Sequence, residues 1–167
     1  EKIFARVETW ALPALLKATL WGIVLSVLTL VTDYALFSGE FHIVPFSKTA
    51  LSYSPLFLLL IALIKTISTH VGFAMGWRGG KIFPAIFAIV AVGAAIAQFI
   101  PIQPAITVSL AVVASITIIL EKPLLTAILL IFLLPISLAP LIFITAYIVM
   151  LIHKFLLKKI GLKSLIY

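Results

Sequence analysis

The chain lacks several residue types on which enzymes and metal proteins depend. It contains no cysteine, which excludes disulfide bonds and thiolate metal sites. Acidic residues number only 5, and the histidines, His42, His70 and His153, lie far apart without a helical i, i+4 partner or a carboxylate cluster. Ser/His/Asp and Cys/His arrangements also have no local support. We therefore predict a protein that is not an enzyme and that has neither a metal site nor a cofactor.

Charged residues are also scarce, and apolar side chains dominate. Hydrophobic residues make up 64% of the chain and charged residues 10%, with a mean hydropathy of +1.34, whereas a soluble domain is about 45–50% apolar. This composition predicts a polytopic protein of the lipid bilayer. Because one crossing needs about 20 mainly apolar residues, the chain allows at most about five or six crossings. We expect one all-α transmembrane domain over residues 1–167, because no strand-like alternation is sustained.

The positive charge indicates an orientation in the membrane. The formal net charge is +7, but the basic residues lie at the ends of apolar segments or near the C-terminus, so no nucleic-acid partner is predicted. Basic residues favour the cytoplasmic side of a membrane. We therefore expect a protein of the plasma (inner) membrane with a cytoplasmic C-terminus that carries Lys154, Lys158, Lys159 and Lys163.

Prolines and glycines divide the apolar sequence into short segments. Glu1–Trp10 is interpreted as an amphipathic lead-in, and Phe37–Ser54 as a polar hairpin or a reentrant turn. Leu56–Thr69 would form at most about 20 Å of helix, which is too short to cross comfortably. Several segments fall short of the roughly 30 Å hydrocarbon core, so we expect short, tilted and broken helices. The other predicted segments are Leu12–Val31, Ile82–Phe99, Ala105–Leu120, Leu124–Leu134 and a last span that begins near Pro135 and Pro140 and reaches His153.

A glycine-rich, charged segment, Gly76–Pro84, opens directly into the uncharged stretch Ile82–Leu120. Two consecutive glycines permit unusual backbone geometry and leave no side chain between the amides and a ligand. Pro84 suits the first turn of a helix, where its missing N–H is not needed. The free amides at this positive helix end would suit an anion, unless the segment is a plain interhelical loop. The predicted anion-binding residues are Gly79, Gly80, Lys81, Ile82 and Phe83.

Other charged residues admit two interpretations each. Arg78 either draws anions toward these amides or, as we favour, extends to the membrane interface. Lys65 lies inside an apolar segment, where an ionisable residue is a functional candidate, although its long stem more readily reaches the headgroups. Glu121 and Lys122 are interpreted as an interfacial turn, with a proton-path role as the alternative.

The glycine-rich segment resembles a motif of the CLC family of chloride channels and proton-coupled chloride exchangers. Gly80–Pro84 is similar to the Gly-x-Phe-x-Pro motif in the second half of that family, although Phe83 sits one place late and Lys81 takes a position that is usually apolar. Ser38–Pro45 is similar to a glycine-rich stretch of the family, and Lys122–Ala127 to its Ala-Pro-Leu-Thr-Gly element. The resemblance covers about residues 12 to 155.

This resemblance implies a fold, a function and partners. CLC subunits consist of two halves in inverted topology, and the chain corresponds to the second half. The absent first half would supply a Gly-Ser-Gly-Ile-Pro-like loop and a loop with a gating glutamate, and the subunit would form a homodimer and transport chloride. A pore tyrosine would fall within Lys158–Ser164, where none stands, and Tyr167 follows a few residues later. The alternatives are a secondary transporter of another inverted-repeat fold and a non-transporting membrane scaffold.

Overall fold

The computed structural model describes residues 13–30, 32–35 and 39–160, and within them all regular structure is helical. The predicted all-α fold class is therefore confirmed. The lead-in Glu1–Trp10 lies outside the described residues, as do Ser38, Lys163 and Tyr167. The α-helices that the structure describes are α1 (Ala14–Thr29), α2 (Ile43–Thr49), α3 (Pro55–Ala74), α4 (Ile82–Ala97), α5 (Pro104–Leu120), α6 (Pro123–Ile131) and α7 (Ala139–Ile160).

Most of these helices are short, as predicted. Helices α1 and α4 have 16 residues each, α5 has 17 and α6 has 9, so each is shorter than a bilayer core of about 30 Å. Among the described residues, two helical segments are long and apolar enough to cross a membrane: Pro55–Ala74, of 20 residues, and Ile136–Lys159, of 24.

Proline marks the beginning of three helices. Pro55, Pro104 and Pro123 stand at the first positions of α3, α5 and α6, where the ring fixes a helical φ and the missing N–H has no intrahelical acceptor to lose. At α3 the preceding residue also caps the helix, because the Ser54 hydroxyl accepts a hydrogen bond of 3.3 Å from the Phe57 amide. These sequence-encoded starts account for the agreement between predicted and observed boundaries.

The prediction that the second span is too short is wrong. Helix α3 continues past Thr69 to Ala74, which makes it about 30 Å long. The polar residues there satisfy their hydrogen bonds on the helix itself: Ser68 and Thr69 donate to the Lys65 carbonyl at 3.0 and 2.8 Å, and His70 Nδ1 bonds to the Thr66 carbonyl at 2.8 Å. Hydrogen bonds of this kind within the helix let polar side chains stand in the last turns of an otherwise apolar helix.

Of the two interpretations of Phe37–Ser54, the polar hairpin is wrong, while the reentrant turn stays a prediction. The described part of this segment contains α2, with 3-10 turns before and after it. Phe46 is fully buried, and its ring lies 4.8 Å from that of Phe87 and 4.9 Å from that of Tyr34. These aromatic contacts add about 0.5–1.5 kcal/mol beyond area burial and so stabilise the packing of α2.

The chain folds as two compact units, Glu1–Ile100 and Pro101–Tyr167. In the first unit, α3 packs against α4 in its most extensive helix pairing, and α2 packs on α4. Small residues let these backbones approach closely. The buried positions of α4 include Ala88, Ala91, Gly93, Ala94 and Ala95.

In the second unit, α5, α6 and α7 pack against one another. Its core contains Val113, Ile116, Leu130, Ile142 and Ala146, each at most 1% exposed. The turn between α5 and α6 passes through Glu121, which has a left-handed φ of 54°. The predicted break at Glu121 and Lys122 is therefore confirmed, while the proton-path alternative remains a prediction.

Candidate functional site

The loop that carries the predicted site begins where α3 ends, at Gly76. This glycine has a left-handed φ of +90°. Its amide donates to the Phe73 carbonyl at 3.0 Å, and the next amide, of Trp77, donates to the Gly72 carbonyl at 2.9 Å. This pair of hydrogen bonds is the Schellman arrangement, which ends a helix by satisfying its last carbonyls. A glycine is favoured at position 76 because other residues are strained at this φ.

The backbone of residues 77–81 is irregular and its side chains are exposed, and α4 then begins at Ile82. The predicted break and the predicted helix start are therefore confirmed. Neither Gly79 nor Gly80 has a left-handed φ, so the structure does not use the backbone freedom that the two glycines permit in that region. A Cβ added at Gly80 would meet no described atom within 4 Å. Gly80 instead leaves space around the backbone.

The first turn of α4 has amides without an intrahelical acceptor. The Ala85 amide donates to the Lys81 carbonyl at 3.3 Å, so the preceding amides of Ile82 and Phe83 stand at the open end of the helix. Among the described residues, no side chain caps this end. Pro84 lies in the first turn, where its lack of an N–H removes no helical hydrogen bond. The arrangement can present backbone donors and the positive end of a helix dipole to an anion.

The side chain of Lys81 lies back along α3. Its ammonium stands 5.8 Å from the centre of the Phe73 ring, which is within cation–π range. With Phe73, Pro84 and Ala88 it lines a groove of about 190 Å³ between α3 and α4. The charge of Lys81 therefore lies beside the Phe73 ring of α3, while Arg78 is exposed on the loop.

Lys65 is placed differently from our sequence interpretation. It is 1% exposed, so the predicted extension to the headgroups is wrong. Its ammonium donates to the Tyr34 carbonyl at 3.0 Å and lies 5.3 Å from the centre of the Phe87 ring on α4. Sequence reasoning missed this position because the acceptor, a backbone carbonyl 31 residues away, has no sequence signature. Only the folded chain brings this acceptor to a lysine in an apolar helix.

Gly39 belongs to the same buried cluster. It has a left-handed φ of +80°, and a Cβ there would lie 3.1 Å from the Phe87 ring and 3.2 Å from the Lys65 ammonium. Glycine is therefore favoured at this position by backbone conformation and by close approach. The glycine of the Ser38–Pro45 stretch thus lets the chain pass over Lys65.

Comparison with known proteins identifies relatives among ion-transport proteins. Sequences named "Putative ion-transport protein YfeO" from Escherichia coli (strain K12 / DH10B) and Shigella boydii serotype 18 are each 46% identical to the chain over 67 residues. The matched segment covers 40% of this chain and 16% of each relative, so the match spans only a small part of their length. No solved structure matches the chain.

A family model gives a much longer match. The model described as "Voltage gated chloride channel" matches residues 1–154, and this range includes the loop at 76–81 and helices α1 to α6. The resemblance drawn from the Gly80–Pro84 motif is therefore confirmed at the level of the family. With its long apolar helices, the chain is an integral membrane protein and belongs to the voltage-gated chloride channel family.

Proposed function

We propose that the chain is the C-terminal half of a subunit that transports chloride-like anions across a membrane. The observation that carries this proposal is the open N-terminal end of α4, which follows an exposed glycine pair inside the region matched by the family. The proposed anion-binding residues are Gly79, Gly80, Lys81, Ile82 and Phe83. The backbone amides of Lys81, Ile82 and Phe83 would donate to the anion, and the glycines would leave room for it.

Backbone donors suit transport because they bind an anion without holding it too tightly. A helix N-terminus carries roughly half an elementary positive charge. Its amides can replace part of the hydration shell of a halide, and the absence of a full opposite charge allows release. Lys81 and Arg78 would raise the local potential and draw anions toward the site.

The first half of the subunit would complete the site. One helix end carries only about half a charge, which does not compensate for the water that an anion loses when it enters the site. Further hydrogen-bond donors must therefore face the anion. We propose that the missing N-terminal half supplies these donors and the gating group. The chain alone would then fold around part of a pathway and would not conduct.

The second unit would provide contacts to a second subunit. On α7, a row of large apolar side chains is about half exposed or more, with the i, i+3, i+4 spacing of one helix face. On α6, Leu124, Leu125 and Ile128 are similarly exposed. We propose that these faces pack in a homodimer, where association in lipid rests on side-chain packing. The residues on the α7 face are Ile144, Tyr147, Ile148, Leu151, Ile152 and Phe155.

The proposed orientation rests on the end of α7. Lys158 and Lys159 lie in its last turn, and Lys154 precedes them on the same helix, so this end would face the cytoplasm of a cell with the protein in its plasma (inner) membrane. A cysteine introduced at Lys154 should react with a membrane-impermeant maleimide only after cells are opened. Labelling of intact cells would contradict this orientation.

Chloride-dependent stability tests the function. Purified complete subunit in detergent should melt at higher temperature in chloride than in gluconate at equal ionic strength. At ten times the dissociation constant, binding stabilises by about 1.4 kcal/mol, a shift of a few degrees. Liposomes containing the protein should also release chloride faster than empty liposomes. A non-transporting scaffold predicts neither effect, and unchanged melting together with unchanged efflux would reject the proposal.

A further inference from the structure

Two tryptophan rings meet at Gly72, in the last turn of α3. A Cβ added to Gly72 would lie 2.9 Å from Trp21 Nε1 and 3.0 Å from Trp77 Cε3. Real Cβ atoms essentially never approach other atoms more closely than 3.0 Å. Gly72 has no left-handed φ, so backbone conformation does not explain why glycine stands here. Glycine is favoured because the two rings occupy the space that a side chain would need. Trp21 belongs to α1, and Trp77 is the first residue of the loop after Gly76.

Trp77 is attached to Gly72 by its backbone as well as by its ring. The Trp77 amide donates to the Gly72 carbonyl at 2.9 Å, and the Trp77 ring lies against the α-carbon side of the same residue. Gly76, between them, has a left-handed φ of +90°. These restraints together set the direction in which the chain leaves α3.

Trp21 packs on Gly72 from α1, although burial of its indole N–H is unfavourable. Its side chain is 6% exposed, and its indole N–H is buried without a hydrogen-bond acceptor among the described residues. Such a group loses its bond to water without a replacement, which is unfavourable. Packing of the large ring must therefore account for Trp21 at this position, and the ring packs on Gly72.

We propose that Trp21, Gly72 and Trp77 form a brace that positions the anion-binding loop, which deepens and rests on the proposed function. None of the three needs to touch the anion. The loop from Trp77 to Lys81 is short. A shift of the loop at the end of α3 would therefore also move the amides of Ile82 and Phe83. They are positioning residues, and their loss changes how well the amides face an anion.

Gly72→Ala tests the brace in the complete subunit reconstituted in liposomes. Its methyl group would push the two rings aside, at a cost similar to that of an off-rotamer side chain. We expect the half-saturating chloride concentration to rise roughly three- to tenfold and the ratio of chloride to nitrate flux to change. Gly22→Ala on α1 is the matched control, since a Cβ there meets no described atom within 4 Å. A Gly72→Ala protein with lower maximal flux but normal half-saturation and flux ratio would overturn the proposal.

Trp77→Leu provides a second route if Gly72→Ala does not fold. It keeps the backbone hydrogen bond to Gly72 and removes the ring, so it should also raise the half-saturating concentration. Unchanged half-saturation in Trp77→Leu would count against the brace. Where Gly72→Ala does fold, its effect and that of Trp77→Leu should not add in the double variant, because both act on one contact. Additive effects would mean that the residues act independently, against the brace.

A spin label separates the failure of the brace from the failure of the proposed function. The chain contributes no competing thiol, so a label on Arg78→Cys reports the motion of the loop. Gly72→Ala should increase the mobility of that label, whereas Gly22→Ala should not. If the wild-type protein carried no chloride, the proposed function would fail, and the label would still decide the brace. An unchanged spectrum in Gly72→Ala would overturn it.

Discussion

Gly80→Val is the sharpest test of where the anion binds. A Cβ at Gly80 would meet no described atom within 4 Å, and the residue has no left-handed φ, so the variant should fold and insert normally. Its methyl groups would nevertheless occupy space beside the amides of Lys81 and Ile82. If the anion loses one of these hydrogen bonds, its binding free energy becomes weaker by about 1.5–3 kcal/mol. This corresponds to about a 10- to 150-fold loss of anion affinity.

The assay is chloride efflux from liposomes that contain equal amounts of folded complete subunit. We expect Gly80→Val to slow efflux strongly and Gly80→Ala, which adds one methyl group, to slow it less. Gly22→Val is the control, because a Cβ at Gly22 also meets no described atom within 4 Å but lies on α1. If the Gly80→Val protein released chloride at the wild-type rate, the anion pathway would not pass this glycine.

Three further predictions concern the separate parts of the chain. The isolated 167-residue chain should release no chloride from liposomes, and robust efflux would mean that one half suffices. Ile144→Trp on the exposed face of α7 should weaken the dimer during size-exclusion chromatography in detergent, whereas Ile23→Trp, a similarly exposed position on α1, should not; an intact dimer in both would refute the α7 interface. Lys65→Met should lower stability by about 1–3 kcal/mol, because the Tyr34 carbonyl loses its part-buried hydrogen bond from the ammonium. Lys48→Met on the exposed side of α2 is the control in thermal melts, and equal melting of the two variants would contradict the structural role of Lys65.

Local chemistry made the helix starts predictable. Proline at positions 55, 104 and 123 and the proline at position 84 each act within one turn of helix. Because these effects need no distant partner, Ile82 could be expected as a helix start from the sequence alone. The proposed anion site could be located for the same reason, since its five residues are consecutive.

The roles of individual residues in this region were less predictable. The glycine pair at 79 and 80 suggested an unusual backbone, but the left-handed glycine is Gly76, three residues earlier. Gly72 gave no signal at all. Its importance depends on Trp21, a residue on another helix, and a single sequence does not reveal which helices meet.

Composition and local sequence by themselves determined that this chain is an apolar, helical membrane protein with short helices and a glycine-rich loop before α4. These properties follow from side-chain hydropathy, proline geometry and spacing along the chain, which act over a few residues. Only the tertiary structure decided that Lys65 is buried against the Tyr34 carbonyl and that two indoles meet over Gly72. Such contacts join residues far apart in sequence, and their free energy appears only when packing brings the partners together.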